Sequence, residues 1–112
     1  MSGIERIAAE RRRQMDAEGW TEEHDDGHED ESLAMAASVY ARPEFGRTYY
    51  MDPEDGAFKP KDWPWEDDAF KPTPDDRVRE LAKAGALIAA EIDRIERDEA
   101  KWKAYHAARK PA

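Results

Sequence analysis

The sequence predicts an all-α fold: a bundle of three main helices with a long Pro- and aromatic-rich loop between the second and third helices. Three observations predict it. Apolar residues recur at helical spacing in three segments, residues that start and stop helices border these segments, and six of the seven prolines lie in one stretch. The chain has 112 residues, the size of one domain, 1–112. Because small cores are marginally stable alone, we also expect a homodimer.

Composition excludes several classes of function. The net charge of −9 repels phosphate backbones, so we expect no direct nucleic-acid binding. The absence of cysteine excludes disulfides, Cys-based zinc sites and thiol nucleophiles. No stretch approaches the roughly 20 apolar residues of a membrane span, and the N-terminus lacks the apolar segment of a signal peptide. We therefore expect a cytoplasmic protein without a membrane partner.

The first predicted helix covers residues 3–18, and Gly19 is a typical residue to end it. Arg11 falls on its apolar face, with Gln14 and Glu18 beside it. Either the stem of Arg11 covers the edge of the core, or the end of this helix carries a buried polar cluster, which would need partners. The apolar face consists of Ile4, Ile7, Ala8, Arg11 and Met15.

The second predicted helix covers residues 21–41, where an acidic run continues into small apolar residues. Thr21 is a suitable N-cap, and the acids after it would lie in the first turn, where the helix dipole favours them. Gly27 would cost about 1 kcal/mol inside the helix. If the helix begins only after Gly27, the acidic run is a loop. The predicted core face contains Leu33, Ala37 and Tyr40.

The segment 42–74 is predicted to be an ordered loop. Its prolines exclude a long helix. The tetrapeptide Ala-Phe-Lys-Pro occurs twice, at 57–60 and 69–72, and two copies are too few for a repeat fold. Trp63 and Trp65 favour order, because large apolar side chains are costly to leave in water.

The third predicted helix covers residues 75–102. It begins after Pro74 with Asp75 and Asp76 as N-cap candidates. We expect the basic tail, 103–112, to fray after Trp102. A stripe of residues at helical period predicts the packing face of this helix: Leu81, Gly85, Ile88, Ile92 and Ile95.

Carboxylates at the start of the second helix form a candidate metal site. The spacing EExxD would place two of them one turn apart, and a second helix could complete the oxygen ligands that Mg²⁺ prefers. The alternative is a solvated acidic first turn. Mg²⁺ is the one cofactor that the pattern allows, and the candidate ligands are Glu22, Glu23, Asp26 and Glu91.

His24 and His28 have the i, i+4 spacing that can hold a transition metal. No Glu separates them as in the HExxH pattern, and Gly27 interrupts the helix. We therefore interpret them as a surface pair.

Aromatic residues alternate with cations in the 42–74 loop, and these residue types stack a nucleobase and neutralise its phosphate. The alternative is an apolar plug that covers the helices. No catalytic residue is predicted, because the chain has no glycine elbow around a serine and no Gly-rich phosphate loop. The candidate ligand-binding residues are Arg11, Gln14, Glu18, Trp20, Tyr40, Lys59, Trp63, Trp65, Lys71 and Lys83.

Two segments and the loop between them carry a family resemblance: ERRRQMDAEGWTEEHDDGHEDESLAMAASVYA, the WPW motif, and RELAKAGALIAAEIDRIER. Over most of its length the chain resembles a family of small proteins of phages and prophages. More distantly, EExxD is similar to the first motif of all-α nucleotide pyrophosphatases of the MazG type, which bind Mg²⁺. That motif maps onto Glu22, Glu23 and Asp26. Lys83 and Arg94 stand where the second motif would require an acid.

Three functional hypotheses follow. The first is a phage-type accessory protein that binds a nucleotide or a nucleotide-derived signal and sequesters a host defence signal in the host cytoplasm. The second is a Mg²⁺-dependent nucleotide pyrophosphatase, which the incomplete second motif disfavours. The third is an acidic protein that blocks the nucleic-acid-binding surface of a host enzyme.

Overall fold

The computed structural model describes residues 1–109. In this part of the chain it shows four α-helices and one two-stranded antiparallel sheet, so the prediction of an all-α fold with three main helices is wrong. The elements are α1 (Gly3–Ala17), α2 (Glu22–Asp26), α3 (Ser32–Ala41), β1 (Tyr49–Met51), β2 (Phe58–Pro60) and α4 (Arg77–Arg109). No helix within residues 1–109 has the length and apolarity needed to cross a membrane.

Helix α1 begins with a capping box and ends at a glycine. Ser2 Oγ accepts a hydrogen bond from the backbone N–H of Glu5, and the Glu5 carboxylate accepts one from the Ser2 N–H. Gly19 follows the helix with a φ of 70°, the left-handed conformation that commonly terminates helices. The chain therefore turns away from α1 immediately before Trp20.

The predicted second helix, 21–41, is divided into α2 and α3. Thr21 caps α2, since its hydroxyl accepts a hydrogen bond from the His24 N–H at 3.3 Å. The helix stops at Gly27, and Glu31 then has a φ of 68°, a left-handed conformation that no α-helix can continue through. The Asp30 carboxylate accepts a hydrogen bond from the Ser32 N–H at the start of α3. Two short helices at an angle therefore replace one long helix.

The 42–74 segment contains two short β-strands, which its proline-rich sequence did not predict. Strands β1 and β2 form a hairpin in which Tyr49 pairs with Pro60 and Met51 with Phe58. Pro60 is tolerated because it ends its strand, where a missing N–H interrupts no further ladder. Gly56, with a φ of 70°, makes the turn. The first Ala-Phe-Lys-Pro copy thus contributes a strand, whereas the second begins in a 3₁₀ turn, Asp67–Ala69.

Helix α4 is the longest element and packs against α3 and α1. Its N-cap is Asp76, whose carboxylate accepts a hydrogen bond from the Arg79 N–H at 3.1 Å. It continues to Arg109, beyond the predicted end at residue 102. Fraying of the tail stays a prediction, and residues 110–112 lie outside the described residues. The core consists of Leu33, Ala36, Ala37, Tyr40, Ala84, Leu87 and Ala90, covered by Trp20, Trp63, Trp65 and Phe70.

The apolar stripe predicted as the packing face of α4 largely faces solvent. Leu81 and Ile88 are each 48% exposed and Ile92 is 52% exposed. The helix buries its alanines and Leu87 instead, because small side chains let α3 approach closely. Gly85 is the exception on the stripe: it touches Ile7 of α1 so closely that a Cβ there would lie 2.5 Å from Ile7 Cδ1.

Candidate functional site

A pocket of about 260 Å³ opens between α2, the turn after it and the 3₁₀ turn Asp67–Ala69. We call it the aromatic pocket, because two indoles and two imidazoles form most of its wall. It is lined by Trp20, His24, His28, Trp65, Glu66, Asp68 and Ala69.

The two imidazoles of the pocket are fixed through their Nδ1 atoms. His24 Nδ1 lies 3.0 Å from Asp25 Oδ1, and His28 Nδ1 lies 3.0 Å from Ser32 Oγ. The His24 ring also stacks on the Trp20 indole, with ring centres 5.5 Å apart and planes 8° from parallel. Since Nδ1 of each ring is engaged, Nε2 is the atom left to hydrogen-bond a ligand.

Asp25 anchors this wall to α1. Its carboxylate is fully buried and forms an ion pair with Arg11 at 2.7 Å, while the Arg11 side chain is only 13% exposed. Gln14, one turn further along α1, is also buried. Of the two alternatives for the end of the first helix, the structure has the buried polar cluster, and a buried charge pair positions His24.

Trp65 joins the aromatic pocket to the core. Its ring lies edge-on to Trp20 with centroids 5.9 Å apart, edge-on to Trp63 at 5.4 Å, and 5.0 Å from the His28 ring. Trp63 is fixed in turn, because its Nε1 donates a hydrogen bond to the Glu66 carbonyl at 2.9 Å. These ring contacts fix the relative orientation of the indoles and the imidazole.

The electrostatics of the pocket combine a neutral His28 ring with an acidic rim. Burial, followed by the neighbouring His24, lowers the pKa of His28, so this imidazole is neutral at pH 7. Glu66 and Asp68 are exposed at the edge. The pocket thus offers stacking surfaces and hydrogen-bond acceptors, and no lysine or arginine is among the residues that line it.

Six of the ten candidate ligand-binding residues meet at a second, much smaller cavity of about 20 Å³. We call it the small polar cavity. It adjoins the aromatic pocket through Trp20 and Ala69, which line both. Its volume suits one water molecule and not a nucleotide. The six residues are Gln14, Glu18, Trp20, Tyr40, Lys71 and Lys83.

Lys83 is the buried cation of the small polar cavity. Its Nζ donates a hydrogen bond to the Lys71 carbonyl at 2.6 Å and lies 5.5 Å from the centre of the Tyr40 ring. Burial lowers the pKa of Lys83, and the charge of Arg79 lowers it further. Gln14 Oε1, in the same cavity, is buried without a hydrogen-bond partner in the described chain. A water shared between these groups would satisfy both.

Two cations predicted to meet phosphate are occupied by other groups. Lys59 Nζ lies 2.7 Å from Asp52, 3.2 Å from Asp55 and 2.8 Å from Asp67. Arg11 is bound to Asp25. These lysine and arginine side chains stabilise the hairpin and α2, respectively, whereas Lys71 is exposed.

The structure does not bring the predicted metal ligands together. Glu22 and Glu23 are exposed on α2, and Asp26 lies 2.8 Å from Arg97, which lowers the pKa of the Asp26 carboxyl. Glu91 is buried and hydrogen-bonded by Arg94. Within residues 1–109 no three acidic or histidine side chains are grouped as metal ligands. Magnesium binding stays a prediction.

Several residues of the aromatic pocket were not among the sequence candidates: Glu66, Asp68 and the two histidines, which were interpreted as a surface pair. The spacing held a usable signal. Trp20, His24 and His28 follow one another at intervals of four, the spacing of neighbours on one helix face. Only His24 lies within α2, and the turns on either side of α2 bring the other two rings beside it. The acids of the rim had no such signal, because their position depends on how the loop folds back.

No family model matches the chain, and no curated protein or solved structure matches it. The fold and site define a helical protein with a small hairpin and one aromatic pocket. The resemblance to phage proteins stays a prediction.

Proposed function

We propose that this protein binds a nucleotide or a nucleotide-derived signal, with the base in the aromatic pocket. One observation carries the proposal: two indoles and two imidazoles line one side of an open pocket of about 260 Å³. That volume is close to the lower end of small-molecule sites, about 300 Å³. Nucleobases are flat, and stacking on aromatic side chains is the usual way in which proteins hold them outside a duplex.

The polar groups of the pocket fit the edge of a base. The Nε2 atoms of His24 and His28 and the carboxylates of Glu66 and Asp68 supply hydrogen-bonding groups for ring nitrogens and exocyclic amino groups. The acidic rim disfavours phosphate at that edge. We therefore assign the phosphate to the side of Lys71, which is exposed and lines the adjoining small polar cavity.

Capture, not turnover, is the activity we propose. The residues that line the aromatic pocket include no hydroxyl or thiol nucleophile, which favours binding over covalent catalysis. In this proposal the protein is a cytoplasmic homodimer of the phage type, and it sequesters a host defence signal by holding its base.

Calorimetric titration with nucleosides and with linear and cyclic nucleotides tests the proposal, and fluorescence of Trp20 and Trp65 reports on the same pocket. Ala69→Leu adds volume at the pocket wall and should weaken binding by at least about tenfold, because a filled pocket excludes a stacked ring. Ala100→Leu makes the same change on the exposed part of α4 and should leave affinity unchanged. No heat and no fluorescence change with any ligand would contradict the proposal.

The assignment of phosphate to Lys71 has its own test. Lys71→Gln should weaken binding of a nucleotide but leave binding of the matching nucleoside unchanged, since only the former carries the charge that Lys71 would neutralise. Lys61→Gln is the control, because Lys61 is an exposed lysine of the same loop that lines neither cavity. Equal losses for both ligands would show that Lys71 acts through folding instead.

A further inference from the structure

A cleft of about 300 Å³ lies between α1 and the first turns of α4. We call it the arginine cleft, because three arginines line it: Arg6, Arg13 and Arg79. The cleft shares no lining residue with the aromatic pocket. A ligand in the arginine cleft would therefore contact a different set of side chains.

Two of the three arginines of the cleft have no partner in the fold. Most arginines of the chain are paired with a carboxylate, as expected where 27 acids accompany 18 lysines and arginines. Within residues 1–109, the arginine side chains that form neither a hydrogen bond nor an ion pair are Arg6, Arg12 and Arg79. Arg6 and Arg79 belong to different helices, yet they line the same cleft.

The two acids of the cleft are engaged by other groups. Glu10 is buried, and both of its carboxylate oxygens accept a hydrogen bond from Arg13 Nε at 3.0 Å. The Asp76 carboxylate accepts a hydrogen bond from the backbone N–H of Arg79 at 3.1 Å and so caps α4. The guanidinium groups of Arg6 and Arg79 are therefore available to an anion from outside the chain.

The rest of the cleft wall is apolar. Its residues are Met1, Ala9, Val78 and Ala82. Sites for small molecules typically combine such an apolar wall with a few charged groups, and their volumes begin at about 300 Å³. The arginine cleft thus suits an organic anion with an apolar body better than it suits a bare inorganic ion.

We propose that the arginine cleft binds a small organic anion, with a carboxylate or phosphate group held by Arg6 and Arg79 and an aliphatic body against the apolar wall. A guanidinium group presents its N–H donors as a planar fork, which matches two oxygens of either anion. Arg13 shapes the wall instead, since Glu10 and Glu18 hold its side chain. This site does not depend on nucleotide binding in the aromatic pocket.

Nuclear magnetic resonance titration of the full chain, labelled with ¹⁵N, tests the proposal at constant ionic strength. The probes are butyl phosphate, pentanoate, inorganic phosphate and the uncharged pentan-1-ol, none of which has a ring for the aromatic pocket. The Nε–H signals of Arg6 and Arg79 should shift to saturation with butyl phosphate, pentanoate or both, and the tighter of the two identifies the anionic group. Inorganic phosphate should bind more weakly than butyl phosphate, because it lacks the apolar contacts, and pentan-1-ol should not shift these signals.

Matched variants separate a built site from general attraction between charges. Arg6→Gln and Arg79→Gln should each raise the dissociation constant by at least about tenfold, since each removes one fork of donors. Arg12→Gln is the control: Arg12 is an exposed arginine of α1 that does not line the cleft, and its replacement changes the net charge equally. Circular dichroism establishes that all three variants remain folded.

Three results would overturn the proposal. The first is the absence of a saturable shift at Arg6 and Arg79 with both organic anions. The second is an equal loss of affinity in Arg12→Gln and in the two cleft variants, which would indicate attraction by net charge alone. The third is binding of pentan-1-ol as tight as that of the anions, which would show that the arginines are not needed.

Discussion

At the scale of single residues, Glu80 holds the junction of α3, the loop and α4. Its buried carboxylate accepts hydrogen bonds from Arg47 at 3.2 Å, from Arg77 at 3.2 Å and from the Thr73 N–H at 3.0 Å. The same two arginines donate to the last carbonyls of α3: Arg47 to Val39 and Tyr40, and Arg77 to Tyr40, Ala41 and Arg42. Cations at this end also suit the helix dipole. Glu80 therefore neutralises the groups that cap α3.

Removing the charge of Glu80 should be costly. Burial alone would raise the pKa of Glu80, but the hydrogen bonds from Arg47 and Arg77 and from the Thr73 N–H outweigh it and keep the pKa low. Glu80→Gln removes the buried counter-charge of the Arg47 guanidinium, leaving it only the more exposed Glu44, and should lower the free energy of unfolding by about 3 kcal/mol. Urea denaturation measures the change. Glu96→Gln, at an exposed site on the same helix, should change it by under about 0.5 kcal/mol.

His28 should make stability depend on pH. Burial and the neighbouring His24 lower the pKa of His28, while Asp30, Asp25 and Glu91 oppose the shift. Because the folded state binds this proton less readily than the unfolded chain, the contribution to stability is present above about pH 6.5 and is lost as the pH falls below it. The Tm should drop over that range.

His28→Gln removes the titrating group and should flatten the dependence of Tm on pH between neutral and mildly acidic solution. His106→Gln is the control, because His106 is exposed on α4. If the two variants show the same slope as the wild type, His28 is not the group responsible.

At the scale of elements, the contact between α1 and α4 depends on the absence of one side chain. Gly85 lets Ile7 approach so closely that a Cβ would lie 2.5 Å from Ile7 Cδ1 and 2.7 Å from Cγ1. Glycine inside a helix costs about 1 kcal/mol relative to alanine. The close packing of α1 on α4 offsets that cost.

Gly85→Leu should separate the two helices. The larger side chain cannot share the space with Ile7, so we expect the free energy of unfolding to fall by about 1–3 kcal/mol despite the better helix propensity of leucine. Thermal denaturation followed by circular dichroism measures this. Truncating the neighbour, in the double variant Gly85→Leu with Ile7→Ala, should recover part of the loss. If the double variant loses as much free energy of unfolding as Gly85→Leu alone, the clash with Ile7 is not the cause of the loss.

The second and third predicted helices show what element-scale patterns can and cannot predict. Thr21, Gly19 and Asp76 act locally, and their roles as helix ends are confirmed. A helix that begins only after Gly27 was one of two alternatives, because the cost of a single glycine inside a helix is too small to predict where the helix is interrupted. The left-handed Glu31 had no signal, because it is held by the packing of α3 and not by its own preference.

At the scale of the whole molecule, charge is used mainly inside the protein. Two of the cations predicted to serve a ligand are paired with acids of the fold, Arg11 with Asp25 and Lys59 with three aspartates, and Arg97 is likewise paired with Asp26. The aromatic pocket is left with rings and an acidic rim. A ligand is therefore expected to be recognised chiefly through its flat, uncharged part.

Amphipathic periodicity misled the prediction in one instructive way. It identified the apolar stripe of α4 correctly as a stripe, but it could not say what covers it. Periodicity predicts that one side of a helix is apolar, but it does not predict which element packs against that side. In this chain the alanines pack the interior, because they allow α3 to come close, and the isoleucines remain outside.

By itself the sequence determined the mostly helical character of the chain, its acidic net charge and single helix caps such as Thr21, Gly19 and Asp76. These depend on neighbours within one or two turns, where local preferences act directly. Only the tertiary structure decided which face of α4 is buried, which cations remain free and where the aromatic pocket opens. Each of these depends on groups distant along the chain, such as Arg47 with Glu80 or Trp20 with Trp65. Such contacts form only when the chain has folded, so local sequence preferences do not predict them.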